Sequence, residues 1–193
     1  MLRGINIGPH KRINMGQLRK SFEALGFERV QTYIQSGNVV FKTKQTSTSV
    51  LSKRIEEKIV SGFGFSVSVI SRSSNEMSKA IERNPFLNER GIDHDAINRE
   101  KISHEKIDPD KLHVMFLSDA PAPAALKTLT DLIAPPDQCR SVDREIYFHL
   151  PNGVSQSVLM KKPADRILAV TTTMRNWRTV NSLHQMCNDK DCR

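Results

Sequence analysis

Apolar and polar positions alternate in a pattern that predicts a strand, a helix and a hairpin at the start of the chain. Residues 1–7 are predicted to form a short strand that ends at Gly8 and Pro9. Asn14 is a favourable N-cap residue for the following helix, and Gly26 is a favourable terminator. Between these two residues, apolar side chains recur at helical spacing: Met15, Leu18, Phe22 and Leu25.

The hairpin is predicted around the turn residues Ser36, Gly37 and Asn38. Glycine reaches positive φ without a Cβ clash, and asparagine tolerates the left-handed region. Flanking β-branched and aromatic residues fit a pleated, half-buried surface. Alternation along the first arm places Val30, Thr32 and Ile34 on one face and Gln31, Tyr33 and Gln35 on the other. One face is therefore expected to enter a core, and the other to form the wall of a site.

The pattern after the hairpin predicts a second helix, a further strand and a third helix. Ser47 or Thr48 caps the second helix, which carries an apolar stripe (Leu51, Ile55, Ile59) and ends near Gly62. Residues 65–70 alternate as a strand, and Ser73-Ser74-Asn75-Glu76 is a capping box that opens the next helix. The order of strands and helices matches the split βαβ of a ferredoxin-like unit.

The second half of the chain repeats this order. It is predicted to contain a strand at 112–116, a helix at 121–133, a hairpin around Asp143-Arg144-Glu145, helical residues at 154–168 split by Pro163, and a closing helix that buries Trp177. We therefore predict an α+β fold of two related ferredoxin-like (β-α-β-β-α) subdomains with additional helices. The predicted boundaries are 1–87 for the N-terminal subdomain, 88–110 for a polar connector and 111–193 for the C-terminal subdomain.

Charge is distributed unevenly along the 193 residues, which carry a formal net charge of +8. Residues 1–72 have a net charge of +8, residues 73–150 of −4, and residues 151–193 of +4. If the two basic ends meet, their surface favours phosphate or carboxylate ligands. The alternative is a basic surface that serves only solubility.

The composition also bears on the compartment in which the protein works. Three cysteines are an odd number, which argues against a disulfide framework. The apolar runs are too short to span a bilayer, and the first residues lack the apolar stretch of a signal peptide. We therefore expect a cytoplasmic protein with no membrane partner.

Three motifs give the chain a resemblance to a known family. They are Leu2-Arg3-Gly4-Ile5-Asn6, Thr32-Tyr33-Ile34-Gln35-Ser36-Gly37-Asn38 and Thr172-Thr173-Met174-Arg175-Asn176-Trp177-Arg178-Thr179-Val180. In this order they resemble the bacterial domain-of-unknown-function family numbered 1697. The resemblance implies an α+β fold of two related subdomains and implies no particular reaction.

Two of these motifs contain candidate anion-binding residues. The loop from Arg3 to Arg12 combines glycines with basic residues ahead of a helix, an arrangement that can bind an anion. Its spacing does not match a P-loop. A simple strand-to-helix turn explains the glycines equally well. Arg175 and Arg178 lie at a predicted helix start, where their guanidinium groups can bind phosphate. The alternative is that both side chains are solvated on the exposed face of an amphipathic helix.

Metal and cofactor sites find little support in the sequence. His94 and His104 lie in the polar connector, and His184, Cys187 and Cys192 lie near the C-terminus, but neither set fits a compact metal-ligand template. We predict no metal and no cofactor, and whether the protein is an enzyme stays open because no nucleophile or general base stands out.

The sequence favours binding of a small anionic or phosphate-bearing ligand between the two halves. The predicted ligand-binding residues are Arg3, Asn6 and Lys11 from the first loop, Tyr33, Ser36 and Asn38 from the hairpin, and Arg175, Asn176 and Thr179 from the last helix. The alternatives are a nucleic-acid-binding module and a protein-interaction module. The first is weakened because an RNA-stacking platform would be sparse with so few tyrosines and tryptophans.

Overall fold

The computed structural model describes residues 1–87 and 107–189. Within these residues it contains six α-helices and two β-sheets, of two and four strands. The α+β class predicted from the sequence is confirmed, whereas the ferredoxin-like detail stays a prediction.

The described residues form two compact units. The first contains Met1–Met77, Thr171–Thr173 and the residues from Asn181 onward, and the second contains the residues from Ser78 to Val170 together with Met174–Val180. The predicted boundaries at residues 87 and 111 stay predictions, because most of the predicted connector lies outside the described residues.

The first unit begins with an extended segment and then forms α1 (Met15–Glu23), β1 (Glu28–Tyr33), β2 (Asn38–Lys42) and α2 (Thr48–Phe63). The Asn14 side chain caps α1 by accepting hydrogen bonds from the backbone N–H groups of Gly16 and Gln17, as predicted. Ser47 caps α2, and Gly64 ends it in the left-handed conformation. The strands pair antiparallel as a hairpin.

Two predicted strands of the first unit are reduced to a single bridge. Leu2 and Val69 form an isolated antiparallel bridge, and the flanking bonds run from Arg3 N to Ser68 O at 2.9 Å and from Ile70 N to Met1 O at 2.9 Å. The prediction of strands at 1–7 and 65–70 is therefore too long, because the turns that follow Leu2 divert the chain from extended geometry after one paired residue.

The core of the first unit is an apolar cluster between the helices and the hairpin. It contains Leu2, Ile5, Ile13, Leu18, Phe22, Phe27, Val30, Leu51, Ile55, Ile59, Val67 and Val69. Phe22 contacts Phe27 and Phe41 edge-on, while the rings of Phe27 and Phe41 stack with centroids 4.3 Å apart. The predicted α1 and α2 stripes are thus buried together.

The remaining elements are α3 (Ser74–Glu82), β3 (Leu112–Leu117), α4 (Pro123–Leu132), β4 (Gln138–Val142), β5 (Glu145–His149), α5 (Ala164–Leu168), β6 (Thr172–Asn176) and α6 (Trp177–Asn188). Strand order in the sheet is β4-β5-β3-β6. The capping box of α3 is present: Glu76 Oε2 accepts from Ser73 N at 2.7 Å, and Ser73 Oγ accepts from Glu76 N at 3.2 Å.

Strands β3, β4 and β5 carry the buried centre of the second unit. One sheet face packs with α4 and α5 in a cluster of Met115, Leu117, Leu129, Cys139, Ile146, Phe148, Leu150, Ala164 and Leu168. The opposite face presents Tyr147, whose side chain is buried and whose hydroxyl donates to Ala80 O at 2.8 Å. Predicted helical residues 154–168 form two 3-10 turns and α5, and Pro163 separates them as expected.

One predicted strand face is wrong at its end. Ile34 was expected to share the buried face of Val30, but Ile34 is 53% exposed. Its φ is +47°, so the alternation of side chains stops at Tyr33, where β1 ends.

Candidate functional site

The first loop is held by the side chain of Asn6, which sits at a φ of +57°. Its Oδ1 accepts from Ile13 N at 2.9 Å, and its Nδ2 donates to Ile13 O at 3.1 Å. The same Nδ2 also donates to Gln35 O at 2.9 Å. The side-chain amide of Asn6 therefore bridges the two ends of the first loop and also bonds to the hairpin turn. It replaces backbone hydrogen-bonding groups, as Asn side chains do in Asx turns.

The hairpin turn is held by Asn38, whose side chain is fully buried. Its Nδ2 donates to Ser36 Oγ at 2.9 Å and to Tyr33 O at 3.4 Å. The Tyr33 hydroxyl accepts from Ser182 Oγ at 3.0 Å, in the part of α6 that belongs to the first unit. These three predicted ligand-binding residues therefore have structural partners within the unit.

A groove of about 850 Å³ lies on the first unit between the first loop, α2 and the segment after α2. Two predicted site residues, Arg3 and Lys11, line it. The other lining residues are Gly4, Lys53, Glu56, Glu57, Val60, Ser61, Ser66, Val67 and Ser68. This volume is within the range of small-molecule sites, which is roughly 300–1,000 Å³.

Two charged side chains of the groove are anchored to the same extended segment. Lys11 Nζ donates to Ser66 O at 2.9 Å, and Glu56 Oε1 accepts from Val69 N at 2.7 Å. The side chains of Lys53 and Glu57, by contrast, form no hydrogen bond or ion pair with any of the residues that the structure describes. The groove therefore holds charges of both signs, of which those of Lys11 and Glu56 are fixed by hydrogen bonds.

The three predicted residues of the second unit surround the junction of β6 and α6. Asn176 Oδ1 accepts from Thr179 N at 2.9 Å, which is the N-cap bond of α6. Arg175 is buried and its Nη1 donates to Met174 O at 2.7 Å. Burial lowers the pKa of Arg175 to about 10, and Thr179 is also buried.

A smaller depression of about 190 Å³ lies beside this junction and is lined by Asp110, Asn176 and Arg178. Arg178 Nη2 lies 3.1 and 3.2 Å from the two carboxylate oxygens of Asp110, so the ion pair occupies the polar groups of the depression. Arg178 is thus held by a protein carboxylate at this surface, which weakens its case as an anion ligand.

The nine predicted residues divide between the units, six in the first and three in the second. Arg3 and Lys11 share the groove, Asn6 and the hairpin residues shape the adjoining backbone, and Asn176 and Thr179 form a helix cap. That all nine share one cleft stays a prediction.

Sequence reasoning missed the groove residues on α2. Lys53, Glu57 and Ser61 recur at helical spacing on the side opposite the buried stripe of Leu51, and Ser66 alternates with buried Val67. The helical spacing of these polar residues is visible in the sequence, but every amphipathic helix has such an exposed polar face. What distinguishes this face of α2 is that the first loop lies beside it, which the sequence does not show.

Metal ligation has no structural support in residues 1–87 and 107–189, where no group of three or more His, Cys, Asp or Glu side chains could hold an ion. His94, His104 and Cys192 lie outside the described residues. No helix in the described ranges is both long enough and apolar enough to cross a membrane.

Fold and site together define an α+β protein that carries a groove lined by charges of both signs on its first unit. The model of the family described as "Protein of unknown function (DUF1697)" matches residues 1–147, and the chain belongs to that family. This confirms the resemblance seen in the sequence motifs, although the third motif lies beyond the matched residues. No curated protein matches the chain.

A solved structure shares the fold. The conserved bacterial protein SP0830 from Streptococcus pneumoniae is 21% identical, with a TM-score of 0.68, over 96% of this chain and 95% of that chain. At this identity the similarity concerns the architecture only.

Proposed function

We propose that the protein binds a small anionic, phosphate-bearing ligand in the groove of its first unit. The observation that carries this proposal is that Arg3, Lys11 and Lys53 line one cavity. The sequence favoured a cleft between the two halves; the present proposal keeps Arg3 and Lys11 from that prediction and adds Lys53. The proposed location is the cytoplasm of a bacterial cell, which the odd cysteine count and the bacterial structural relative support.

Charge and geometry both favour an anion here. Three cationic side chains outnumber the two carboxylates of Glu56 and Glu57, and the serines at 61, 66 and 68 add hydroxyl donors. The bond from Lys11 Nζ to Ser66 O holds this ammonium at the groove, which reduces the entropy lost when a ligand binds. A hydrogen bond to a charged group typically contributes about 1.5–3 kcal/mol.

The other predicted residues support the groove from behind. Asn6 and Asn38 fix the loop and the turn against which Leu2 packs, and Arg3 follows Leu2 directly. In this proposal their role is to position the backbone that carries Arg3, and they do not contact the ligand.

The test is isothermal titration calorimetry with mononucleotides, sugar phosphates and inorganic phosphate. We expect wild type to bind at least one of them and Lys11→Ala combined with Lys53→Ala to weaken that binding by about 100-fold, because two charged contacts are lost. Lys42→Ala, which removes an exposed lysine of β2 outside the groove, is the matched control and should bind like wild type.

Absence of heat for every phosphate compound, or equal weakening by Lys42→Ala, would remove the proposal. A nucleic-acid-binding function that used the same charges would retard RNA or DNA in a gel-shift experiment. A plot of the logarithm of the association constant against the logarithm of the salt concentration would then have a slope of about −0.9 for each phosphate contact. The stacking variant of that function is disfavoured, because Tyr147 on the sheet is buried and bonded to Ala80.

A further inference from the structure

We infer that the ligand of the groove carries two poles: an anionic group for Lys11 and a hydroxyl or amine that donates to Glu56. This inference rests on the proposed function and specifies its ligand class, a phosphorylated sugar or amino sugar as opposed to a simple oxyanion. Its basis is the shared anchoring of one cation and one carboxylate on the segment 66–69.

The two anchors place the poles on opposite walls of the groove. Lys11, from the first loop, is bonded to the carbonyl of Ser66, and Glu56, from α2, is bonded to the amide of Val69. The antiparallel bridge between Leu2 and Val69 shows that this segment ends in extended geometry. In an extended segment the carbonyl of residue 66 and the amide of residue 69 point to opposite edges. A ligand that reaches both side chains therefore has its anionic group at the first loop and its donor at α2.

The carboxylate of Glu56 is held in a fixed orientation at the groove. One carboxylate oxygen accepts from Val69 N, and no described residue donates to the other oxygen. The side chain is only partly exposed, so its orientation is restrained by packing as well as by the bond. A fixed carboxylate in the groove selects a partner with a donor at that position.

The same carboxylate discriminates against simple anions. A phosphate or pyrophosphate that filled the whole groove would place negative charge beside Glu56 and Glu57, and like charges repel. A donor group at that end turns the repulsion into a charge-assisted hydrogen bond. Specificity then comes from one attractive and one repulsive element, as in many selective sites.

The competing explanation is that Glu56 serves only to satisfy the amide of Val69. Glu56→Gln separates the two roles, because the glutamine carbonyl can still accept from Val69 N while the negative charge is lost. Glu28→Gln removes an exposed carboxylate of β1 outside the groove and serves as the matched control.

The experiment measures calorimetric binding of glucosamine 6-phosphate, glucose 6-phosphate and inorganic phosphate to the full chain. Wild type is expected to bind glucosamine 6-phosphate at least tenfold more tightly than inorganic phosphate. Glu56→Gln should lose about tenfold for the amino sugar and bind inorganic phosphate as well as or better than wild type. Glu28→Gln should retain the wild-type preference, and thermal unfolding of each variant reports whether it is folded.

The outcomes separate this inference from the function on which it rests. Wild type that binds phosphate but does not prefer either sugar phosphate overturns the two-pole ligand and leaves anion binding in place. A folded Glu56→Gln variant that keeps the full preference also overturns it, because the donor contact would then lie elsewhere. Wild type that binds none of the three compounds overturns this inference, and the proposed function falls with it only if the mononucleotides also fail to bind.

Discussion

Leu2 is hydrogen bonded to the backbone of Gly37, and its side chain fills the space beside that glycine. The amide nitrogen of Leu2 donates to the carbonyl oxygen of Gly37 at 2.7 Å, and a Cβ built on Gly37 would lie 2.8 Å from the Cβ of Leu2 and 3.0 Å from side-chain carbons of Ile5. The glycine itself has a φ of +79°. The first two sequence motifs therefore meet at a position that only glycine fits.

Gly37→Ala is expected to destabilise the protein by about 2–4 kcal/mol. The left-handed conformation costs a non-glycine residue about 1–2 kcal/mol, and an added methyl in a packed contact costs about 1–3 kcal/mol. Chemical denaturation measures the change in the free energy of unfolding.

Gly62→Ala is the control for that substitution. Gly62 lies in α2, and nothing lies within 4 Å of the position that an alanine methyl would occupy there. Alanine should therefore be neutral or stabilise the helix by about 0.5–1 kcal/mol. If both alanines had the same effect on unfolding, the Leu2 contact would not be the cause of the Gly37 requirement.

Tyr33→Phe tests the bond between the hairpin and α6 within the first unit. Tyr33 is half-buried and its hydroxyl accepts from Ser182 Oγ, so loss of the bond should cost about 0.5–1.5 kcal/mol of stability. Ser182→Ala should cost a similar amount. In a double-mutant cycle the two losses should be less than additive, and full additivity would show that the two hydroxyls are not coupled.

Tyr147→Phe is expected to lower stability at neutral pH and to flatten its alkaline pH dependence. The buried hydroxyl donates to Ala80 O, so its removal leaves that carbonyl without this donor and should cost about 1–3 kcal/mol. Burial, reinforced by the negative charge of Glu145, raises the pKa of Tyr147 above its ordinary value.

The sign of the pH effect follows from that direction. An ordinary tyrosine in the unfolded chain has a pKa of about 10, and the native state holds the proton more tightly. The resulting stability is complete below about pH 10 and is lost as the pH rises toward the higher folded pKa. Urea unfolding at about pH 8 and about pH 11 should show a smaller loss in Tyr147→Phe than in wild type. An equal loss in both proteins would assign the alkaline transition to other groups.

Asn176→Ala is expected to destabilise the start of α6 by about 0.5–2 kcal/mol, because it removes the acceptor for Thr179 N. Asn176→Asp keeps an acceptor at the N-cap and should retain most of the stability. Thermal unfolding compares the two. A ligand-binding role for Asn176 without a capping role predicts the opposite, namely unchanged melting of the alanine variant.

Local signals in the sequence were sufficient for most of the secondary structure. The cap at Asn14, the capping box at Ser73 and Glu76, and the turn at Asp143 all lie where the structure has them, because each depends on side chains a few residues apart. The wrong prediction that Ile34 faces the core also has a local cause, which is its positive φ. β-Branched residues disfavour positive φ, so no sequence pattern predicts this conformation.

The site was predictable only in part. A glycine-bearing basic loop pointed to Arg3 and Lys11, whereas nothing in the spacing pointed to Lys53 and Glu56 on α2 as their neighbours. Arg175 shows what the spacing does not report: the sequence left it either solvated or ligand-binding at a helix start, and the structure buries its side chain, while a ligand-binding role stays a prediction. Burial depends on what packs above a residue, which sequence neighbours do not report.

The sequence alone determined most of the element types and the α+β class, because periodicity, caps and turn residues act over short stretches of chain, and its motifs carried the resemblance to the family. The tertiary structure alone decided that Asn6 spans from Ile13 to Gln35, that Gly37 must accept Leu2 at close range, and that charges from the first loop and α2 line one groove. These relationships join residues that are distant in the chain, and their energies arise from contacts that exist only once the core has formed.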